Sequence, residues 1–329
     1  MVVVGILLSV LAGLIPMVIY ALALVFFDRY EKEPPLLMIG VFLWGAIVAA
    51  GAALILNTIF GISLFAVTGD EALAMGGTAV ISAPLIEETV KGLAVVGVVL
   101  FFRHEFDSLL DGVIYGSLVG FGFAATENIN YIFTGFLEAG IGGLFLLTFI
   151  RAVVIAFIHP TFTSLIGIGF AVGRLSHGPL RYIAPVLGYF GAMAAHAFHN
   201  LLASFGSPLL CLAGSVLDWV GFLAMFVFIL VLVWREGKIM RDHLHGEVAL
   251  GNLSEQQLGA ACSLTGQMSA RFSALSSGRG RQTSKFYDLC GELAFKKYQL
   301  VRVGPDRERG TQAAIEKLRG QVAALSKSV

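Results

Sequence analysis

Charge is scarce in this 329-residue chain. Asp, Glu, Lys and Arg make up 13% of it, where a soluble domain carries about 25%. So few charges cannot wet an aqueous surface, which excludes a soluble globular enzyme and points to lipid as the solvent. Cysteine is scarce too: Cys211, Cys262 and Cys290 lie far apart and form no Cys-x-x-Cys, so neither a disulfide framework nor a cysteine zinc site is expected. The formal net charge is +0, which gives no reason to expect nucleic acid as a partner. No Lys or Arg precedes the first apolar segment. A cleaved signal peptide begins with a basic stretch, so residues 2–27 read as a retained span. His-Glu-x-x-His, Gly-x-Ser-x-Gly and phosphate-loop motifs are all missing.

What the chain has in quantity is long apolar runs. A spanning helix needs roughly 20 mostly apolar residues, and the runs at 2–27, 36–60, 78–102, 109–136, 142–173, 182–204 and 212–234 qualify. Lipid cannot satisfy a free backbone amide, so helices are the expected form. The fold class is therefore all-α: a polytopic membrane helix bundle of about seven transmembrane helices with a small helical cytosolic C-terminal tail. The fifth run contains His159-Pro160 and is either strongly tilted or kinked there, because proline disturbs a helix interior. Arg29, Lys32, Arg103, Arg174 and Arg181 fall on alternate loops, and the loops between them carry no Lys or Arg. Basic loops stay cytoplasmic, which puts the N-terminus outside and the C-terminus in the cytoplasm. Residues 1–235 form the expected membrane domain and 236–329 the polar tail. Within the tail, Ser254 to Gln257 reads as a capping box and Ser276 to Gly280 as a flexible linker. Ile315, Leu318, Val322 and Leu325 follow a heptad-like spacing suited to a neighbouring helix.

Ionisable residues interrupt these runs. Glu87, Glu88 and Lys91 lie in the third, Glu127, Asn128 and Asn130 in the fourth, Arg151 and His159 in the fifth, and His196, His199 and Asn200 in the sixth. Each such charge costs about 2.5–3.5 kcal/mol at a helix centre on the insertion scale, so it rarely persists without a task. Spacing groups them further: Lys91 shares a helix face with Glu87 and Glu88, as Asn200 does with His196. Glu87, Glu127, His159 and His196 lie roughly 14–18 residues from the cytoplasmic ends of their runs, or about 21–27 Å at 1.5 Å per residue. One polar layer at or beyond the midplane is the result. In such a layer one carboxylate of the Glu87–Glu88 pair can act as general base on water, with the imidazoles and Asn200 holding the water or an oxyanion. Alternatively, Glu127, His159 and His196 form a two-histidine, one-carboxylate set suited to catalytic Zn2+. Residue spacing does not choose between them. Gly116 and Gly120 form a Gly-x-x-x-Gly pair, read as a close helix contact.

These motifs resemble the PrsW family of intramembrane proteases. Glu87-Glu88-Thr89-Val90-Lys91 is similar to its Glu-Glu-x-x-Lys motif, and Phe123 to Glu127 to its Phe-x-x-x-Glu motif. His159 and the segment His196 to Asn200 fit its histidine motifs. Asp111-Gly112, Tyr115-Gly116 and the run Tyr30 to Pro35 also look like the family. The resemblance covers about 15–205 and leaves the tail without a counterpart. It implies a bacterial plasma-membrane peptidase, distantly related to CAAX-processing and bacteriocin-immunity membrane proteases. The implied substrate is a membrane-anchored regulator, such as an anti-sigma factor, cut from the extracytoplasmic side. Glu87, Glu88, Glu127 and His196 would be its catalytic set, supported by His159 and Asn200; the metal stays open.

Each residue also has a plainer reading. Glu87 or Glu88 can serve only to neutralise Lys91, and His196 can be an interhelical hydrogen-bond donor. His159 can satisfy carbonyls freed by Pro160. His199 lies off the His196–Asn200 face and reads as structural. Arg151 reads as snorkelling or pairing with a carboxylate. For the whole chain the alternatives are a proton-coupled transporter and a non-catalytic membrane scaffold. Paired inverted halves, usual in transporters, are not seen.

Overall fold

The computed structural model describes residues 1–205, 207–305 and 310–329. Every element among them is helical. By length and composition, four helical stretches among the described residues can cross a membrane: Val2–Val25, Pro35–Thr68, Leu109–Leu175 and Pro208–Ala249. The chain is thus an all-α integral membrane protein. The expected runs 78–102 and 182–204 coincide with helices α5 and α8 below, which carry most of the ionisable residues and are not among those four.

The chain divides into two compact units. The first, the membrane unit, comprises Met1–Val25, Pro34–Gly173 and Tyr182–Val227. It contains α1 (Val2–Val25), α2 (Pro35–Leu43), α3 (Ala50–Thr68), α4 (Glu71–Gly77), α5 (Ala83–Phe101) and α6 (Leu109–Phe149), most of α7 (Ile158–Leu175) and α8 (Leu180–Phe205), and the start of α9 (Pro208–Ala249). Its centre is the first half of α6, buried at every position from Leu110 to Ala125. Ser108 caps that helix: its Oγ accepts from the Asp111 amide at 3.2 Å, while the Asp111 carboxylate accepts from the Ser108 amide at 2.6 Å, which satisfies orphan donors at both ends of the box. At Gly140 (φ 61°, ψ −144°) the helix reverses direction, a conformation open to glycine because it lacks a Cβ.

Small residues let α7 approach α6. A Cβ on Gly112 would lie 2.5 Å from the Gly167 carbonyl oxygen, one on Gly116 2.6 Å from that of Thr163, and one on Gly120 2.6 Å from that of His159. The Gly-x-x-x-Gly pair is thus the last two members of a three-glycine ridge at four-residue spacing, and its final member sets the height of His159. Gly120→Ala is expected to destabilise the membrane unit by about 1–3 kcal/mol, the range for overpacking a tight interior. Thermal unfolding in detergent reads this; an unshifted midpoint would show that the ridge can yield.

Among the described residues three π turns interrupt the helices, at Trp44–Ala49, Thr78–Ser82 and Ile150–Val154. Each closes with an amide reaching back five residues, from Ala50 to Gly45, Ala83 to Thr78 and Ile155 to Ile150. A widened turn frees a carbonyl, which lipid cannot satisfy. In each turn a side chain from another helix supplies the donor: Thr126 Oγ1 to Ala46 O (2.6 Å), Asn200 Nδ2 to Ala79 O (2.7 Å) and Tyr20 Oη to Ala152 O (2.9 Å). The fifth run breaks at the third turn, some residues before the tilt or kink expected at His159-Pro160. The chain leaves helical geometry at Ile155 and restarts at Ile158, so Pro160 falls in the first turn of α7, where its missing N–H costs nothing.

The second unit comprises Phe26–Glu33, Arg174–Arg181 and Phe228–Val329, with α10 (Glu255–Ala261), α11 (Leu264–Ser276), α12 (Gly280–Val303) and α13 (Thr311–Ser326). The capping box at Ser254 and Gln257 is present. Ile315, Leu318 and Val322 seat in a core with Met240, Leu244, Phe286 and Leu293. Buried Glu247 accepts from Lys297 and from Arg319 Nε (3.0 Å). Ser276 to Gly280, read as a flexible linker, is instead a helix-ending turn. Gly278 adopts φ 70°, and the Arg279 amide donates to the Ala274 carbonyl at 2.9 Å, as glycine-closed C-termini do.

Candidate active site

Four helices of the membrane unit bring their ionisable residues together. Glu88, fully buried on α5, is held on three sides. Its Oε1 accepts from Lys91 Nζ at 2.5 Å and lies 2.9 Å from His196 Nδ1 of α8; its Oε2 accepts from Thr163 Oγ1 of α7 at 3.1 Å. Lys91 Nζ also approaches His159 Nδ1 of α7 at 3.2 Å and lies 4.3 Å from the centre of the Phe123 ring. The other nitrogen of His159, Nε2, is 2.8 Å from Glu127 Oε2 of α6. Arg151, on the third π turn, closes the row: it pairs with Glu127, donates through Nε to Asn128 Oδ1 at 2.9 Å and stacks on Tyr131 at 4.3 Å. An unbroken polar chain thus runs His196–Glu88–Lys91–His159–Glu127–Arg151, where lipid-facing helices would otherwise leave each charge to bear its desolvation alone.

Glu87 stands differently. Its Oε1 accepts from Asn57 Nδ2 of α3 at 3.3 Å, and Asn57 Oδ1 in turn accepts from Ser82 Oγ at 2.8 Å. Its Oε2 is buried, has no hydrogen-bond partner among the described residues, and lies 3.8 Å from both Lys91 Nζ and His196 Nε2. Glu87 borders a cavity of about 1360 Å³, lined also by Glu127, Arg151, His159, His196 and otherwise largely apolar side chains. That volume admits water and an extended peptide segment together.

The sequence reading places Glu87, Glu88, Glu127, His159 and His196 in one site, and the structure brings all five together. Asn200 lines the same cavity, but its amide donates to the Ala79 carbonyl, tying α8 to the turn before α5. Sequence reasoning missed Asn57 and Ser82, which are neutral and so escape a search for ionisable groups. It also passed over Asp218 on α9, whose Oδ2 lies 2.8 Å from His199 Nδ1; a lone acid in an apolar run was the available signal. Asp111, Gly112 and Gly116 prove to be cap and ridge, with Tyr115 stacked on Phe106 at 6.0 Å.

One donor set converges as a metal site requires. Single ligand atoms of Glu87, His159 and His196 all lie within 4.8 Å of one another. The sequence reading joins the two imidazoles to Glu127; the converging atoms join them to Glu87. One carboxylate and two imidazoles are the ligand types of catalytic divalent-metal sites. The fit is supported by the orphaned Glu87 Oε2 and by the contact of His196 Nδ1 with Glu88, which leaves Nε2 turned toward Glu87. A carboxylate behind a ligating imidazole is the usual second support. His159, whose ring nitrogens face Lys91 and Glu127, would have to give up one of those contacts for the ion.

A family model described as PrsW family intramembrane metalloprotease matches residues 33–233. Among curated proteins, one called Protease PrsW from Geobacillus kaustophilus is 30% identical over 158 residues, covering 47% of this chain and 62% of that protein. Its namesake from Clostridioides difficile is 35% identical over 107 residues, 32% of this chain and 43% of that one. A third, from Oceanobacillus iheyensis, is 30% identical over 125 residues, 37% and 54% of the two chains. The match thus spans less than two thirds of each relative's length. No solved structure matches the chain.

Proposed function

The chain belongs to the PrsW family of intramembrane metalloproteases, and from that premise we propose that it hydrolyses a peptide bond of a membrane-anchored protein within the α5–α8 cavity. The observation that carries the reading is the meeting of Glu87, Glu127, His159 and His196 at one cavity, with Glu88 buried behind it against His196. Glu87, whose Oε2 makes no hydrogen bond among the described residues, takes a proton from the attacking water, whose oxygen adds to the scissile carbonyl carbon. The same carboxyl returns that proton to the leaving amide nitrogen as the C–N bond breaks. Lys91 and Thr163 fix Glu88, and Glu88 fixes His196, so the imidazole is preorganised toward the developing oxyanion. Arg151 and Glu127 do the same for His159. Asn200 positions α8. Alternatively, Glu87, His159 and His196 would hold a divalent ion of the zinc class, Glu87 then serving as ligand instead of base; when bound the ion would supply Lewis-acid polarisation of the carbonyl and a more acidic water. The substrate is a membrane-anchored protein, with a regulator of the anti-sigma type as the implied class. We place the enzyme in a bacterial plasma membrane with the N-terminus outside, the 236–329 tail in the cytoplasm, and the cut in the outer half of the bilayer.

The test is cleavage of a single-span reporter protein by the purified full chain in liposomes. Wild type is expected to cut, and Glu127→Gln and His196→Gln each to lose at least about 10²-fold in rate. A chelator is expected to stop the reaction and added Zn2+ to restore it, with one bound ion per chain. Undiminished cleavage by both variants would remove the site from the mechanism; undiminished cleavage by metal-free protein would leave the carboxylates to act without an ion.

A further inference from the structure

In the second unit one helix has a bare outer face. On its inner side α11 is tied down: Gln267 Nε2 donates to the Ala261 carbonyl at 2.8 Å, Arg271 Nη2 to Asp288 Oδ1 at 2.8 Å, and Ala274 is buried. On its outer side Met268, Phe272 and Leu275 are 46%, 78% and 67% exposed. Spacings of four and three put them in one row along the helix. Large apolar residues exposed singly are ordinary, whereas a contiguous row marks an interaction site.

Charge identifies what covers the row. Residues 256–287 contain no Asp or Glu. Arg279, Arg281 and Lys285, all exposed, follow just beyond the helix end, with Arg281 and Lys285 four apart on α12. An apolar helix face with a basic flank and no acid has the composition of a helix lying in an anionic bilayer interface. A protein partner would need an apolar groove rimmed with acid. A bilayer surface offers both features at once and is already tethered to this unit, since each of its three segments joins a helix of the membrane unit in sequence. Tethering raises the effective concentration of the surface to a level a free partner does not reach.

We propose that α11 lies on the surface of the bilayer the chain crosses. Met268, Phe272 and Leu275 insert among the acyl chains, and Arg279, Arg281 and Lys285 meet anionic headgroup phosphates. The test uses full-length Cys211→Ser/Phe272→Cys protein carrying a nitroxide label; Cys262 and Cys290 are buried and stay unmodified. The protein is reconstituted in phosphatidylcholine liposomes with or without phosphatidylglycerol. With the anionic lipid, dissolved oxygen is expected to relax the label more than a water-soluble nickel chelate does. Neutralising Arg279, Arg281 and Lys285 to Gln is expected to reverse that preference, through an about 10²-fold loss in the bound-to-free ratio at about one headgroup contact per cation. A second label at Leu275→Cys repeats the measurement should the first variant fold poorly. Free access of the chelate at both positions in anionic liposomes overturns the proposal. Protection from chelate and oxygen alike also overturns it, because protein would then cover the face.

Discussion

Glu87→Gln is expected to slow peptide cleavage by about 10²–10⁴-fold, the contribution of a positioned general base, while leaving the unfolding midpoint almost unmoved. The asymmetry follows from what each oxygen of Glu87 touches. Oε1 accepts from Asn57, and a carboxamide oxygen can accept the same bond. Oε2 makes no hydrogen bond among the described residues, so the fold does not depend on it. Lys91 keeps its close partner Glu88 at 2.5 Å and is not left uncompensated. Only the capacity to take a proton from water, or to ligate an ion, disappears. Metal content measured on the same samples separates those two tasks: an inactive variant that retains its ion lost a base, and one that releases the ion lost a ligand. A rate equal to wild type would move the base elsewhere.

The opposite behaviour is expected one turn along the same helix. Lys91→Met is expected to destabilise the membrane unit by about 3–5 kcal/mol, the penalty for breaking a buried pair from one side. Lys91 is fully buried and its ammonium group faces Glu88, Glu87, His159 and Phe123. Without it, Glu87 and Glu88 remain as two buried carboxylates with no cation between them. The double variant Glu88→Gln/Lys91→Met removes charge of both signs and is expected to recover most of the loss, since a neutral replacement for a buried pair is often tolerated. Reversible unfolding of the four proteins gives the coupling directly. If the double variant is as unstable as the single one, packing of the lysine stem and not its charge holds this region together.

These contrasts explain how far the sequence could be read. In lipid a carboxylate, imidazole or ammonium is conspicuous, so Glu87, Glu88, Lys91, Glu127, His159 and His196 announce themselves and a shared depth suffices to group them. Their wiring is less legible. Arg151 could be read as pairing with a carboxylate, but its hold on Glu127, Asn128 and Tyr131 together depends on a turn whose register hydropathy does not encode. Asn57 and Ser82 carry no charge and resemble ordinary polar residues in an apolar run, yet they orient Glu87. Asp218 was there to be noticed; its pairing with His199 was not, because α8 and α9 had first to be folded together. In the second unit the capping box at Ser254 and the spacing of Ile315, Leu318 and Val322 were visible as local patterns. That Phe26–Glu33 and Arg174–Arg181 belong to the same compact unit as Phe228–Val329 is a long-range fact that no local pattern carries.

The three widened turns also predict where, inside its helices, this chain would tolerate a one-residue change of length. A helix advances roughly 100° per residue, so an insertion or deletion within α5 would swing Glu87 and Glu88 away from the cavity. A π turn absorbs one surplus residue without rotating what lies beyond it. One-residue gaps within these helices, on aligning homologues, are therefore expected inside 44–49, 78–82 and 150–154. A homologue that has closed such a turn no longer has a carbonyl to satisfy, so the positions matching Thr126, Asn200 and Tyr20 become free to drift in step with the gap.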